Sequence, residues 1–207
     1  MPLDLWLAFA AASAVLLAIP GPTILLVTAY ALGAGRKVAI WMTLGVFLGD
    51  LLAITLAVVG LGALLAASSL LFTALKWLGA AYLVWLGWKL FRAPAEAGLP
   101  KAARADKTGP EMCLHAFAVT ATNPKSIVFF IAFLPQFVSH DLPAAPQLAI
   151  LVATFTLLGA VNALLYALAA GTLREKMTRP SILRWVNRTG GALLMAMGAL
   201  TALARRA

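Results

Sequence analysis

LWLAFAAASAVLLAIPGPTILLVTAYAL, residues Leu5–Leu32, carries no charged side chain and is interrupted once, at Pro20-Gly21-Pro22. A helix crossing the hydrocarbon core of a bilayer needs about 20 largely apolar residues, so the stretch is long enough to span. It cannot span as one helix. Each proline lacks an N–H and clashes with the carbonyl four residues back, and the glycine between them accepts almost any dihedral. The reading is a membrane helix broken near its middle.

Working outward, five more runs have span length: Val38–Ala66, Leu70–Phe91, Cys113–Val138, Pro146–Thr172 and Ile182–Ala204. Short joints separate them, apart from one long hydrophilic connection, Arg92–Glu111. The first run is read as a retained helix and not a cleaved signal, because Met1-Pro2-Leu3-Asp4 has no Lys or Arg. The composition agrees: 63% hydrophobic and 11% charged, against roughly 25% charged in soluble domains. A disordered chain, a disulfide scaffold and a nucleic-acid domain are excluded on the same ground. Cys113 is the sole cysteine, and with only His115 and His140 beside it no metal site or cofactor is expected.

Twelve of the sixteen Lys and Arg flank three alternate connections: Arg36 and Lys37; Lys89, Arg92, Lys101, Arg104 and Lys107; Arg174, Lys176, Arg179, Arg184 and Arg188. The positive-inside rule places these in the cytoplasm and both termini outside, against a mild contrary vote from Arg205 and Arg206. The net charge of +9 is thus read as a topology signal in preference to lipid or nucleic-acid recognition. Trp6 and Trp77 fall near outer ends, and Trp41, Trp85, Trp88 and Trp185 near inner ends, as interfacial belts would.

The chain repeats itself upside down. Pro22-Thr23-Ile24 and Pro124-Lys125-Ser126 interrupt the first span of each three-span half; Asp50 and Asn162 occupy matching places in the second; Leu75-Lys76-Trp77-Leu78 echoes Leu183-Arg184-Trp185-Val186. Gly79/Gly87 and Gly190/Gly198 share one spacing. An odd number of spans per half inverts the second half. The expectation is an all-α membrane protein, a single transmembrane domain over 1–207, built as a 3+3 inverted repeat (1–91 and 112–207, joined by 92–111), with helices one and four broken at mid-membrane. That architecture is characteristic of secondary transporters.

Counting at about 1.5 Å per residue from the basic loops puts Gly21, Asp50, Pro124 and Asn162 at one mid-bilayer depth. Asn123-Pro124 is a helix-start pair, an N-cap followed by proline at the first helical position. Each restarted half-helix presents amides that attract carboxylates. Asp50 and Lys125 are the deep acid and the deep cation, at about 2.5–3.5 kcal/mol each for a lone charge at a helix centre. Two readings fit: an ion pair pinning span two to span four, or a site for an ion or zwitterion in which Asp50 takes up and releases a proton. Gly45 and Gly49 form a small-residue face, read chiefly as packing. Phe129, Phe130, Phe133 and Phe137 are read as packing or lipid-facing, and Gln136, Thr43 and Thr55 as either cavity-lining or interhelical.

Together, Pro20-Gly21-Pro22, Gly45-xxx-Gly49-Asp50, Lys76-xx-Gly79-Ala80-Ala81-Tyr82-Leu83-xx-Leu86-Gly87 and Asn123-Pro124-Lys125 with Phe129-Phe130 resemble the LysE/RhtB family of bacterial amino-acid exporters. The resemblance covers essentially the whole chain. It implies a proton-driven carrier of the bacterial cytoplasmic membrane, exporting amino acids or small derivatives and working as a homodimer. The related disulfide-reductase branch needs membrane cysteines, which this chain lacks. The expected substrate site is Gly21, Pro22, Asp50, Asn123, Pro124, Lys125 and Asn162, with Asp50 coupling to protons; the carboxylate would meet Lys125 and the half-helix starts, and the ammonium Asp50. An inorganic-ion carrier or channel is the alternative. An intramembrane enzyme finds no catalytic cluster at one depth.

Overall fold

The computed structural model describes residues 1–67, 69–94, 107–139, 141–177 and 180–203, and these are helical, with no strand among them. Most of the long connection, together with Ser68, His140, Arg179 and the terminal Arg205-Arg206, lies outside the described residues. Among the described residues eight α-helices follow in order: α1 Leu3–Ala18, α2 Pro22–Ala34, α3 Ala39–Ala67, α4 Ser69–Phe91, α5 Gly109–Ala121, α6 Pro124–Phe133, α7 Ala144–Met177 and α8 Pro180–Leu203.

Both expected breaks are present. α1 stops at Ala18, and α2 begins at Pro22 with an extended Gly21 (φ −125°) at its N-cap; the two axes bend by 54°. α5 gives way to α6 at Thr122-Asn123, and the pair bends by 43°. Asn123 acts as the N-cap, its Oδ1 accepting the Lys125 backbone N–H at 3.1 Å. The fourth run departs from one expectation. α6 ends at Phe133 and continues to Phe137 only as a 3-10 turn, because Pro135 can neither donate to nor sit comfortably within an α-helical turn. At the other end of that run, the Thr108 N–H and hydroxyl both reach Glu111 Oε2, at 2.7 and 2.9 Å. These bonds hold the exposed Glu111 carboxyl below its ordinary pKa.

The stretches Arg36–Gly60 and Ala144–Ala170 are each long and apolar enough to cross a membrane, and each bent pair qualifies if taken as one span, giving two to four candidate spans among the described residues. The exterior suits hydrocarbon. Leu56, Leu157, Leu165 and Leu200 stand about 60% exposed, an arrangement water would penalise at about 25 cal/mol per Å² of apolar surface.

Glycines set the close helix contacts. A methyl group on Gly45 would overlap the Cys113 carbonyl, and one on Gly49 would lie 2.8 Å from Phe117 O, so α3 and α5 meet backbone to backbone. α4 and α8 do the same at Gly87 and Gly191, with 2.6 Å from the Gly87 Cβ position to Gly191 O. The packing reading of the glycine face thus holds.

Two apolar clusters fill the interior. One gathers Phe9, Leu16, Ile54, Phe129, Phe130 and Phe155; the other holds Val27, Tyr30, Met42, Val46, Ala116 and Ala163. The four phenylalanines of the fourth run are packing residues, Phe130 meeting Phe155 edge-on at 4.6 Å. Two helices and both broken pairs pass from one cluster to the other: Ile54 to Val46 on α3, Phe155 to Ala163 on α7, Leu16 to Val27 across the first break, Phe129 to Ala116 across the second. The polar residues lie between these pairs in each case.

Candidate functional site

Lys125 is the second residue of α6, and its buried side chain reaches the severed end of α1. Its Nζ donates to Leu16 O at 3.0 Å and to Ile19 O at 2.8 Å. From α7, Asn162 Nδ2 donates to Leu17 O at 3.1 Å and the Tyr166 hydroxyl to Ala18 O at 2.9 Å. The last carbonyls of a helix have no partner within it. Here the consecutive carbonyls of residues 16–19 are each taken by a side chain from another element. A cation at this position also complements the negative end of the helix dipole.

The start of α2 is built differently. Gly21 brings no side chain, and no side-chain hydrogen bond caps this terminus. At the second residue of α2, Thr23 Oγ1 accepts from Thr120 Oγ1 at 3.3 Å and from Asn123 Nδ2 at 3.2 Å. Asn123 therefore ties the two breaks together, its oxygen capping α6 and its amide nitrogen reaching α2. The positive end of α2 is left directed at the space between them.

Asp50, 2% exposed, enters that space from α3. A Cβ on Gly159 would collide with Asp50 Oδ2, so the carboxylate rests against the bare backbone of α7. Among the described residues no hydrogen bond or ion pair within 4.0 Å joins Asp50 to Lys125. Of the two readings of these charges, the pinning ion pair is therefore not made. The ammonium is drawn instead to the carbonyls of α1, whose partners it must replace. Asp50 and Lys125 do border one cavity, together with Gly21, Thr23, Asn123, Ser126, Gly159 and Asn162. It measures about 20 Å³, room for a single water molecule.

Five of the seven residues expected from the sequence thus surround one cavity. Pro22 and Pro124 are absent from its lining; they act as first helical residues that fix where α2 and α6 begin. Gln136 bonds Ala132 O and Thr201 Oγ1, Thr55 is exposed, and the buried Thr43 Oγ1 has no hydrogen-bond partner; none of the three reaches the cavity. Gly159 and Tyr166 were missed by the sequence reading. Their signal was spacing: both share a helix face with Asn162, three residues before and four after it. No group of three or more His, Cys, Asp or Glu among the described residues could hold a metal.

An exterior of exposed leucine around a polar, oppositely charged chamber at two helix breaks defines a polytopic membrane protein of the translocator kind. The chain belongs to the LysE type translocator family, which it matches over residues 14–205. It is 35% identical to the homoserine/homoserine lactone efflux protein of Salmonella typhimurium over the full length of both chains. Identity is 32% to an uncharacterized membrane protein of Vibrio cholerae, over 99% of this chain and all of that one. It is also 32% to the leucine efflux protein of an Enterobacter species, over 58% of this chain and 57% of the other. No solved structure matches the chain.

Proposed function

We propose that the protein is a secondary active exporter of amino acids or small amino-acid derivatives, exchanging them for protons across the bacterial cytoplasmic membrane. The observation that carries this reading is the enclosure of Asp50 and Lys125 in one cavity at the meeting of two broken helices. An amino acid is a carboxylate and an ammonium on one carbon, and the cavity offers a counterpart to each. The carboxylate is met by the uncapped start of α2 and by Lys125, the ammonium by Asp50. Names borne by relatives, homoserine or its lactone in one and leucine in another, support small zwitterionic or amine-bearing cargo.

In this conformation the site is closed, since about 20 Å³ admits no amino acid. Opening must move a helix end, and α1 is held by the side chains that cap it. A carboxylate arriving at Lys125 competes with the Leu16 and Ile19 carbonyls for the same ammonium protons. Substrate binding and release of α1 are then one event. The six-span arrangement, as inverted halves 1–91 and 112–207 with both termini outside, belongs to this same reading. It lets the two bent pairs exchange roles as access alternates.

Reconstitution in proteoliposomes with an imposed pH gradient tests the reading. Uptake of labelled homoserine and leucine is expected to follow the gradient in wild type. In Asp50→Asn, which lacks both the charge that meets the ammonium and the group that takes up the proton, substrate exchange is expected to weaken and gradient-driven accumulation to be lost. Gradient-driven transport surviving intact in Asp50→Asn sinks the coupling role. Transport of metal cations with no amino-acid flux favours the inorganic-ion alternative.

A further inference from the structure

The contact between α4 and α8 carries features that the transport site does not use. Trp77, Ala81, Val84 and Trp88 follow one another along one face of α4 at helical spacing, with Arg92 just past its end, and Arg188, Met195, Ala199 and Ala202 do so on α8. Between these faces lies a groove of about 530 Å³. Trp77, Trp85 and Trp88 wall it, about half exposed, and the small residues Ala81, Gly198 and Ala202 floor it. The two backbones touch at Gly87 and Gly191. Past that contact, a second cavity of about 330 Å³ is lined by Phe91, Arg92, Pro94, Arg184 and Arg188. Arg92 stacks on the Trp88 ring, its guanidinium carbon 4.2 Å from the centroid, and Lys89 Nζ lies 5.2 Å from that of Trp85. No acidic residue is among those lining either space.

We propose that this seam binds an anionic diacyl phospholipid, with its phosphate at Arg92 and Arg188 and an acyl chain in the tryptophan-walled groove. The two halves of the site match the two halves of such a lipid. The groove is carbon-lined, and in the six-span reading its exposed tryptophans face hydrocarbon, where an acyl chain is the available filler. The arginine cavity sits at the end of the same two helices that the charge distribution assigns to the cytoplasmic face. Guanidinium groups grip phosphate oxygens in pairs, which a lysine cannot, and basic pockets between helices on that face suit anionic headgroups. The stacking of Arg92 on Trp88 holds one guanidinium ready at the boundary between the two spaces. The site shares no residue with the chamber around Asp50 and Lys125, so it stands whether or not the transport reading does.

The test is native mass spectrometry of the full-length protein released from neutral detergent supplemented with phosphatidylglycerol or phosphatidylcholine. Wild type is expected to keep a single phosphatidylglycerol and no phosphatidylcholine. In the Arg92→Gln/Arg188→Gln double variant, occupancy should fall about tenfold or more, while Arg36→Gln, a basic residue of another loop, leaves it unchanged. Ala199→Phe fills the groove without touching a charge and should lower occupancy as well, which keeps the test decisive if the arginine variant does not fold. Inorganic phosphate at millimolar concentration is expected to give no thermal stabilisation. Equal occupancy in the glutamine variant, equal retention of phosphatidylcholine, stabilisation by phosphate alone, or a lipid-free dimer with the groove covered by a second copy each overturns the proposal.

Discussion

The Lys125 ammonium lies 2.8 Å from the carbonyl oxygen of Ile19, joining residues on opposite sides of the chain's two helix breaks. The contact makes a charged side chain the cap of a helix to which it does not belong. Lys125→Met removes the partner of both Leu16 O and Ile19 O, and each orphaned buried group costs about 1–3 kcal/mol. The variant is expected to unfold several degrees below wild type in detergent. An unchanged melting temperature would show that water satisfies these carbonyls equally well.

Tyr166 and Asn162 divide the remaining two carbonyls between them. Tyr166→Phe keeps the ring and removes only the donor to Ala18 O, so a loss of about 1 kcal/mol is expected. Combined with Asn162→Leu, the losses should not add, because both changes loosen the same helix end and residues within one network couple. Strict additivity in a double-mutant cycle of thermal stabilities argues that α1 is not held as a unit.

Gly159 and Gly60 make opposite predictions from one substitution. A methyl group on Gly159 meets the Asp50 carboxylate, whereas one on Gly60 meets nothing within 4 Å. Gly159→Ala is therefore expected to abolish transport while leaving the fold assembled, since the carboxylate at a side chain's end can swing away. Gly60→Ala should be neutral or gain up to about 1 kcal/mol from helix propensity. Gly21→Ala falls between: its Cβ would stand 3.3 Å from Lys125 Nζ, a contact that a flexible lysine can relieve, and its extended backbone suits alanine. Transport by Gly159→Ala at the wild-type rate removes Asp50 from the mechanism.

These contrasts show what the sequence could and could not disclose. The break at Pro20-Gly21-Pro22 was legible because two prolines constrain the backbone locally, whatever surrounds them. Asn123 was legible for the same reason, a capping residue followed by proline. The convergence of Gly21, Asp50 and Asn162 on one cavity also followed, since helix rise converts spacing into distance, whereas Pro124, counted to the same depth, does not line it. Which backbone carbonyls partner Lys125 did not follow. Charge complementarity pointed to Asp50, yet the ammonium is spent on Leu16 and Ile19, whose carbonyls every residue possesses and no sequence pattern marks. Gly159 was hidden likewise among sixteen glycines, because what distinguishes it is the neighbour it leaves room for.

Ser13 and Thr43 supply the last prediction. Both hydroxyls are buried without a hydrogen-bond partner, and neither residue lines the cavity. A buried hydroxyl that bonds to nothing costs about 1–3 kcal/mol on protein scales, so the folded state is penalised twice. Ser13→Ala deletes the oxygen at little cost in volume. Thr43→Val replaces the hydroxyl by a methyl of similar shape, on a helix where β-branching is already accommodated. Each is expected to raise the melting temperature, or at least not lower it, with transport unchanged. The outcome discriminates between a packing defect and a hidden role: a marked loss of transport in either variant, with stability intact, would mean that the hydroxyl acquires its partner in another conformation of the cycle, when α1 has left the place it occupies here.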